Sequence, residues 1–288
     1  MSTRPELSVI IPWSNRPELE TTLRRNSRQF TACPAEVVVV NCGGDPELFR
    51  RVLGARPFPG LRGVELPGVG FNKSLALNVG VGTARAERLF FLDTDIVLGA
   101  DLLGPALTQL GRRHVVTVDR TFESQRKPGR ERSNLVEMAY SVRFVDAKGR
   151  SAQVETNLMR PRENSRSAPG LVFLRRKHFL AVDGMNSDLS GWGWEDLDLL
   201  VRLQLELGLS PRRSGSVTHL THGDEHRDLQ GQSRAASEHL NFARCLECYR
   251  VGHYRGTYTD DTQTWNGRLV ELEPSRLKSG GGRRRAAP

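Results

Sequence analysis

Through its N-terminal third the chain alternates apolar runs of strand length with amphipathic stretches of helical period. Leu7-Ser-Val-Ile-Ile-Pro12 predicts a buried first strand. Ser14-Asn15-Arg16-Pro17-Glu18 then starts a helix reaching about Arg28, with Ser14 or Asn15 as cap and Pro17 in the first turn. Glu36 to Val40 predicts a second strand, stopped by the turn-rich Asn41-Cys42-Gly43-Gly44-Asp45. A short helix over 46–53, a third strand over 64–66, a helix over 72–85 and a fourth strand over 88–92 complete the series. This rhythm predicts an α/β fold with a mostly parallel central sheet flanked by helices. Ligands of such sheets lie beyond the carboxyl ends of the strands, where the loops after Pro12, Val40 and Leu92 meet.

The pattern is less regular beyond that point. Val115 to Asp119 and Gly170 to Leu174 have strand character, and the polar, cationic stretch 120–132 predicts a mobile loop. Residues 196–207 predict a helix with Leu200, Leu203 and Leu207 on one stripe, an Asp198/Arg202/Glu206 polar row opposite, and Gly208 at its end. The division expected is a regular α/β half over 1–118, a less regular half over 119–270 and a basic disordered tail over 271–288.

Composition narrows the class. The 288 residues, 38% hydrophobic and 26% charged, are ordinary for a soluble globular protein. No apolar run is long enough to span a membrane, and Met1-Ser-Thr-Arg-Pro-Glu lacks the core of a signal peptide, so a cytoplasmic location is expected. Cys245-Leu-Glu-Cys248 is a lone CxxC and reads as two helical cysteines one turn apart. Five of the nine net positive charges lie after Pro274, in a low-complexity tail. Such a tail suits peripheral contact with the inner face of a membrane, though a solubilising appendage is the simpler reading; no specific nucleic-acid partner is expected.

The chemistry starts where the fourth strand ends, at Leu92-Asp93-Thr94-Asp95. Carboxylates beside a buried strand are costly unless a cation or donors compensate, so Asp-x-Asp here suits a divalent metal. Alone, it reads more readily as a solvated turn. The metal reading gains from a second acidic element, Gly191-Trp192-Gly193-Trp194-Glu195-Asp196-Leu197-Asp198, whose twin tryptophans suit a sugar-binding wall beside acids. His219 and His222 would point to opposite faces of an extended segment, so a shared metal needs a turn; His222 is the preferred ligand and His219 the reserve. Gly68-Val-Gly70-Phe-Asn-Lys73-Ser74 is not a P-loop, since Asn72 replaces the glycine before Lys73.

Taken in order, these residues resemble the GT-A fold glycosyltransferases, family 2 with a galactosyltransferase-type C-terminal motif. The resemblance covers about Leu7 to His222. It implies a Rossmann-like nucleotide-binding half with a C-terminal acceptor-side subdomain. It implies inverting transfer from a nucleotide diphosphate donor, a UDP-sugar above others, to an acceptor hydroxyl. Pro12, Arg16, Glu18, Asn41, Lys73, Asn78 and Asp93 would bind the nucleotide sugar, although Asn41-Cys42 replaces the family's usual acidic loop. Asp95, Asp93 and His222 would hold Mn²⁺ or Mg²⁺. Asp196 would act as base, Glu195 would orient hydroxyls, and Trp192, Trp194 and Glu195 would bind the acceptor, whether glycan, lipid-linked, peptide or small molecule. A sugar nucleotidyltransferase is the nearest rival, but Pro12-Trp13-Ser14-Asn15 is no triphosphate loop. A glycoside hydrolase would need neither metal nor nucleotide-type sheet, and a non-catalytic binding module would ignore sugar nucleotides.

Overall fold

The computed structural model describes residues 4–55, 58–100, 102–126, 128–223 and 231–273. In chain order the elements are β1 (Leu7–Trp13), α1 (Glu18–Ala32), β2 (Ala35–Cys42), α2 (Pro46–Ala55), β3 (Leu61–Leu66), α3 (Lys73–Thr83), β4 (Arg88–Phe91), β5 (Ile96–Leu98) and α4 (Leu103–Gln109). They continue with β6 (His114–Glu123), β7 (Met138–Val145), β8 (Ser151–Arg160), β9 (Ser165–Arg175), α5 (Arg176–Ala181), α6 (Glu195–Leu207), β10 (Ser210–His219), α7 (Arg234–Arg250), α8 (Tyr258–Trp265) and β11 (Val270–Leu272). One sheet runs β11-β3-β2-β1-β4-β9-β6-β10-β5, with β8 on β9 and β7 on β8. The β3-β2-β1-β4 block is parallel, as expected of the first half. From β9 onward the directions mix, since β9 is antiparallel to β4, β6 and β8.

The alternation along β1 divides the core between the two faces of the sheet. Leu7, Val9, Ile11 and Trp13 pack with Leu19, Leu23 and Phe30 of α1 and Phe49 of α2. Ile10 faces the other way, with Leu77, Val79 and Val81 of α3 and the apolar stripe of α6. Gly80, which by propensity weakens α3, lets that helix lie close on the sheet: a Cβ there would meet Ile10 Cγ2 at 2.4 Å.

Several expectations change. Asn15 does not cap α1; it has φ +54, its Oδ1 accepts the Asp45 amide (2.7 Å), and Pro17 at the cap makes no side-chain bond. The stretch 120–132 is not all loop, because β6 continues to Glu123 against β10. Asp198 and Arg202 of the expected polar row lie inside the protein. Both are buried, paired at 2.8 Å, with Arg202 Nη1 also donating to Val182 and Gly184 carbonyls and Tyr249 Oη donating to Asp198. Glu271 and Leu272, expected to open the tail, pair with β3 instead. The tail from Pro274 onward lies outside the described residues.

Candidate active site

β4 delivers the Asp-x-Asp turn to the carboxyl edge of the sheet, and polar side chains on the inner face of α1 pin it there. Thr22 Oγ1 donates to Thr94 O (2.7 Å), and Asn26 bonds both Ile96 O (2.8 Å) and the Leu98 amide (2.9 Å). These bonds satisfy backbone on the side of β5 that has no strand neighbour. On its other side β5 pairs with β10, which sets His219 opposite Ile96 and lets the Leu220 amide donate to Asp95 O (2.8 Å).

Both histidines reach the same carboxylate oxygen. The chain leaves β10 after His219, and the irregular segment that follows brings His222 to the same carboxylate. Asp95 Oδ2 lies 3.1 Å from His222 Nε2, 3.6 Å from His219 Nε2 and 3.0 Å from an Arg16 guanidinium nitrogen. Asp95, His219 and His222 each offer one ligand atom, all within 4.8 Å of one another. The other ring nitrogens are tied elsewhere: His219 Nδ1 to Glu123 Oε2 (2.7 Å) and His222 Nδ1 to Gly223 O (2.6 Å). Acceptors at Nδ1 place a proton there and aim the Nε2 lone pairs at Asp95, an arrangement that calls for a positive charge in between. In the protein alone a proton fills that need. Burial by itself would lower the His219 pKa, but hydrogen bonds with Asp95 and Glu123 raise it to about 9. Burial would likewise raise Glu123, yet His219 and Arg166 bring it down to about 2, and Asp95 is held well below the usual carboxylate range. Two nitrogens and one carboxylate oxygen are a donor set that fits a divalent cation such as Mn²⁺. Asp93 lies outside this group.

Lys73, at the start of α3, joins the two acidic elements. Its Nζ lies 3.1 Å from Asp93 Oδ1 and 2.9 Å from Asp196 Oδ2. Burial opposes its charge, but Asp196 and Asp93 outweigh it and keep the pKa well above the ordinary lysine value. Asp196 and Glu195 open α6, where the helix N-terminus favours negative charge. Burial raises the Asp196 pKa, Lys73 opposing and Asp93 reinforcing. Burial, then the charge of Asp196, pushes Glu195 up to about 7. Glu195 Oε2 is buried with no hydrogen-bond partner among the described residues. Gly170 of β9 forms the floor under Asp196, for a Cβ there would come within 2.2 Å of Asp196 Oδ2.

The remaining expected contacts divide. Arg16, bonded to Glu18 (3.1 Å) and Asp95, stands at the metal cluster, and Pro12 is buried in β1 beside Val40. Asn41 braces its own loop, giving its Nδ2 to Gly44 O (3.1 Å) and accepting the Gly44 amide (2.9 Å). Asn78 corrects the expectation of a donor contact. It is fully buried, and its amide is spent on Met185 N and O (2.8 and 3.0 Å) and on Asp261 (2.6 Å). Trp194 corrects the aromatic wall: it is buried against Phe242, ring centroids 4.3 Å apart, and belongs to the core. Trp192 is half-buried with the Arg234 guanidinium over its ring at 4.1 Å. Glu123 and Gly170 had no sequence signal, because each acquires its neighbour only through strand pairing.

The glycosyl transferase family 2 domain model matches residues 8–180, more than half of the chain. The chain belongs to glycosyl transferase family 2. It is a glycosyltransferase, and its helix-flanked sheet with Asp-x-Asp at the carboxyl edge is a GT-A architecture. A second model, described as the N-terminal domain of galactosyltransferase, matches residues 150–226 and takes in α6 and both histidines. Compared with the curated proteins by sequence, the chain has no match. Among solved structures it is similar to a mutant Drosophila β-1,4-galactosyltransferase 7 in complex with manganese, UDP-Gal and xylobiose. That likeness has a TM-score of 0.49 and 16% identity, over 82% of this chain and 79% of the other.

Proposed function

We propose that this glycosyltransferase is metal-dependent and inverting, moving a sugar from a nucleotide diphosphate, a UDP-sugar in the first instance, to an acceptor hydroxyl. The observation that carries this reading is the Lys73 ammonium, which touches the Asp-x-Asp turn and the acid of α6 at once. The carboxylates assigned here to the donor and acceptor sides therefore lie within reach of one ammonium group.

In this scheme Asp95, His219 and His222 would hold Mn²⁺ or Mg²⁺, which would supply positive charge against that building on the leaving diphosphate. Arg16 and Lys73 add fixed positive charge on the donor side, beside Asp93. Asp196 accepts the acceptor hydroxyl proton as that oxygen attacks the anomeric carbon from the face opposite the diphosphate. The bond to the diphosphate oxygen breaks with its electron pair, so the configuration inverts. An acceptor hydroxyl donating to Glu195 Oε2 would satisfy an otherwise orphaned buried oxygen. Glu195 is thus the orienting acid and Asp196, paired with Lys73, the base.

A panel of UDP-, GDP- and dTDP-sugars with Mn²⁺ tests this through release of the nucleoside diphosphate. One nucleotide class should be turned over, only with metal, and Asp95→Ala should abolish it. Metal-independent turnover would overturn the metal assignment. Failure with the whole panel, across glycan, lipid-linked, peptide and small-molecule acceptors, would overturn the donor class.

A further inference from the structure

The β7–β8 hairpin and the segment leading into it carry a surface that the transfer chemistry does not use. Leu135, Val136, Met138 and Tyr140 are 52, 58, 46 and 56% exposed, four large apolar side chains within six positions. A cluster of exposed large apolar side chains of this kind is a candidate interaction site. Further along β7 the pattern changes: Val142 and Phe144 pack against the core. The exposed run is therefore where the strand continues beyond its helical cover.

Arginines crowd the same end. Two short 3-10 turns, 130–132 and 161–163, pack together there. Arg126 Nη2 donates to Arg162 O (3.1 Å), and Arg162 Nε donates to Ser133 O (2.9 Å), two residues before Leu135. Arg132 is exposed beside them, whereas Arg160 is matched by Glu137 at 2.9 Å.

The patch also has a place relative to the site. α6 runs antiparallel to β8, since Gln204 bonds Gln153 through both amide groups (3.1 and 3.2 Å) and Glu206 meets Arg150 at 2.9 Å. Going back from Gln204 to Asp196 at ~1.5 Å per residue covers about as much length as three or four strand residues at ~3.3 Å. That brings the start of α6 level with Thr156, whose partner on β7 is Tyr140. The apolar run thus begins where the acids of the site end.

We propose that this face docks on an anionic lipid surface, with Leu135, Val136, Met138 and Tyr140 entering the headgroup layer and Arg126, Arg132 and Arg162 meeting lipid phosphates. Apolar side chains next to guanidinium groups are the pairing that an anionic bilayer interface satisfies. No helix among the described residues is long and apolar enough to cross a membrane, so the contact is a surface one. It would set the acceptor side of the cleft against the bilayer.

Vesicle co-sedimentation of the full chain, with phosphatidylcholine alone or mixed with phosphatidylglycerol, tests this independently of any sugar donor. Binding should require phosphatidylglycerol and weaken with salt. Arg132→Gln should lower the partition constant about fivefold, the share expected of one arginine near an anionic surface. Leu135→Ser with Val136→Ser should lower it further. Neutralising the tail by Arg276→Gln, Lys278→Gln, Arg283→Gln, Arg284→Gln and Arg285→Gln should leave most binding in place. Three results would overturn the proposal: no binding to mixed vesicles, binding that the tail variant loses while the hairpin variants keep it, or a dimer by light scattering that Leu135→Ser/Val136→Ser dissolves without any vesicle binding.

Discussion

Glu123 Oε2 lies 2.7 Å from His219 Nδ1, and that contact decides which ring nitrogen faces Asp95. A carboxylate behind a metal-ligating imidazole fixes its tautomer and raises its basicity. Glu123 is itself held by Thr221 Oγ1 (3.0 Å) and Arg166 (3.0 Å), so it has little freedom to turn away. Glu123→Ala should therefore weaken Mn²⁺ binding by ~10–100-fold, the usual range for losing such a partner. Titration calorimetry with Mn²⁺ alone measures it; unchanged affinity would remove Glu123 from the metal site.

The same geometry sets a pH dependence. His219 has its pKa raised to about 9, so in the metal-free protein it is protonated at neutral pH. A cation must displace that proton, because a protonated Nε2 offers no lone pair. Mn²⁺ affinity should rise with pH from neutrality toward about 9, with close to one proton released per ion bound. Calorimetry at fixed pH in buffers of different ionisation enthalpy reads the release directly. Affinity independent of pH over that window would mean that His219 is not a ligand.

Asn78 separates a structural role from a binding one. Its amide bonds the Met185 backbone and Asp261, tying α3 to the loop before α6 and to α8. Asn78→Ala would leave buried polar groups unpaired, at about 1–3 kcal/mol for each group so exposed. Chemical denaturation should show a loss of that order while UDP–Mn²⁺ affinity stays close to wild type. A selective loss of UDP binding without destabilisation would restore Asn78 to the donor site.

The parallel block and the Asp-x-Asp turn were legible because local pattern determines them: buried β-rich runs, Gly-rich stops and acids at a strand end. β5 was not, since three residues form a strand only when β10 and the polar row of α1 lie on either side. Trp194 was misjudged for a related reason. Its place in the core depends on Phe242 in α7, a helix without a strong periodic signal. The pairing of His219 with His222 depends on the irregular path of residues 220–222, where the spacing called for a turn.

Gly170 tests how much room Asp196 needs. A methyl group there would overlap Asp196 Oδ2 and come within 2.7 Å of its Cγ, so the whole carboxyl must move and its bond with Lys73 with it. Gly170→Ala should then lose turnover by a larger factor than its loss of thermal stability would explain. Tm and kcat measured on one preparation decide it. Equal turnover would show that Asp196 does not need its present position.

Asp196 and Asp95 should fail in different ways. Asp196 contacts Lys73 and, in the proposed reaction, the acceptor proton, whereas Asp95 belongs to the cluster that would hold the metal. A positioned general base contributes about 10²–10⁴-fold, so Asp196→Asn should lower kcat by that factor. UDP–Mn²⁺ affinity should be nearly unaffected, because asparagine keeps the shape and Lys73 retains Asp93. Asp95→Ala should instead remove metal-dependent nucleotide binding at the outset. Equilibrium binding of UDP with and without Mn²⁺, read beside single-turnover rates, separates the two. Should Asp196→Asn transfer sugar at the normal rate, the base must be sought elsewhere, with Glu195 the next group on the same helix turn.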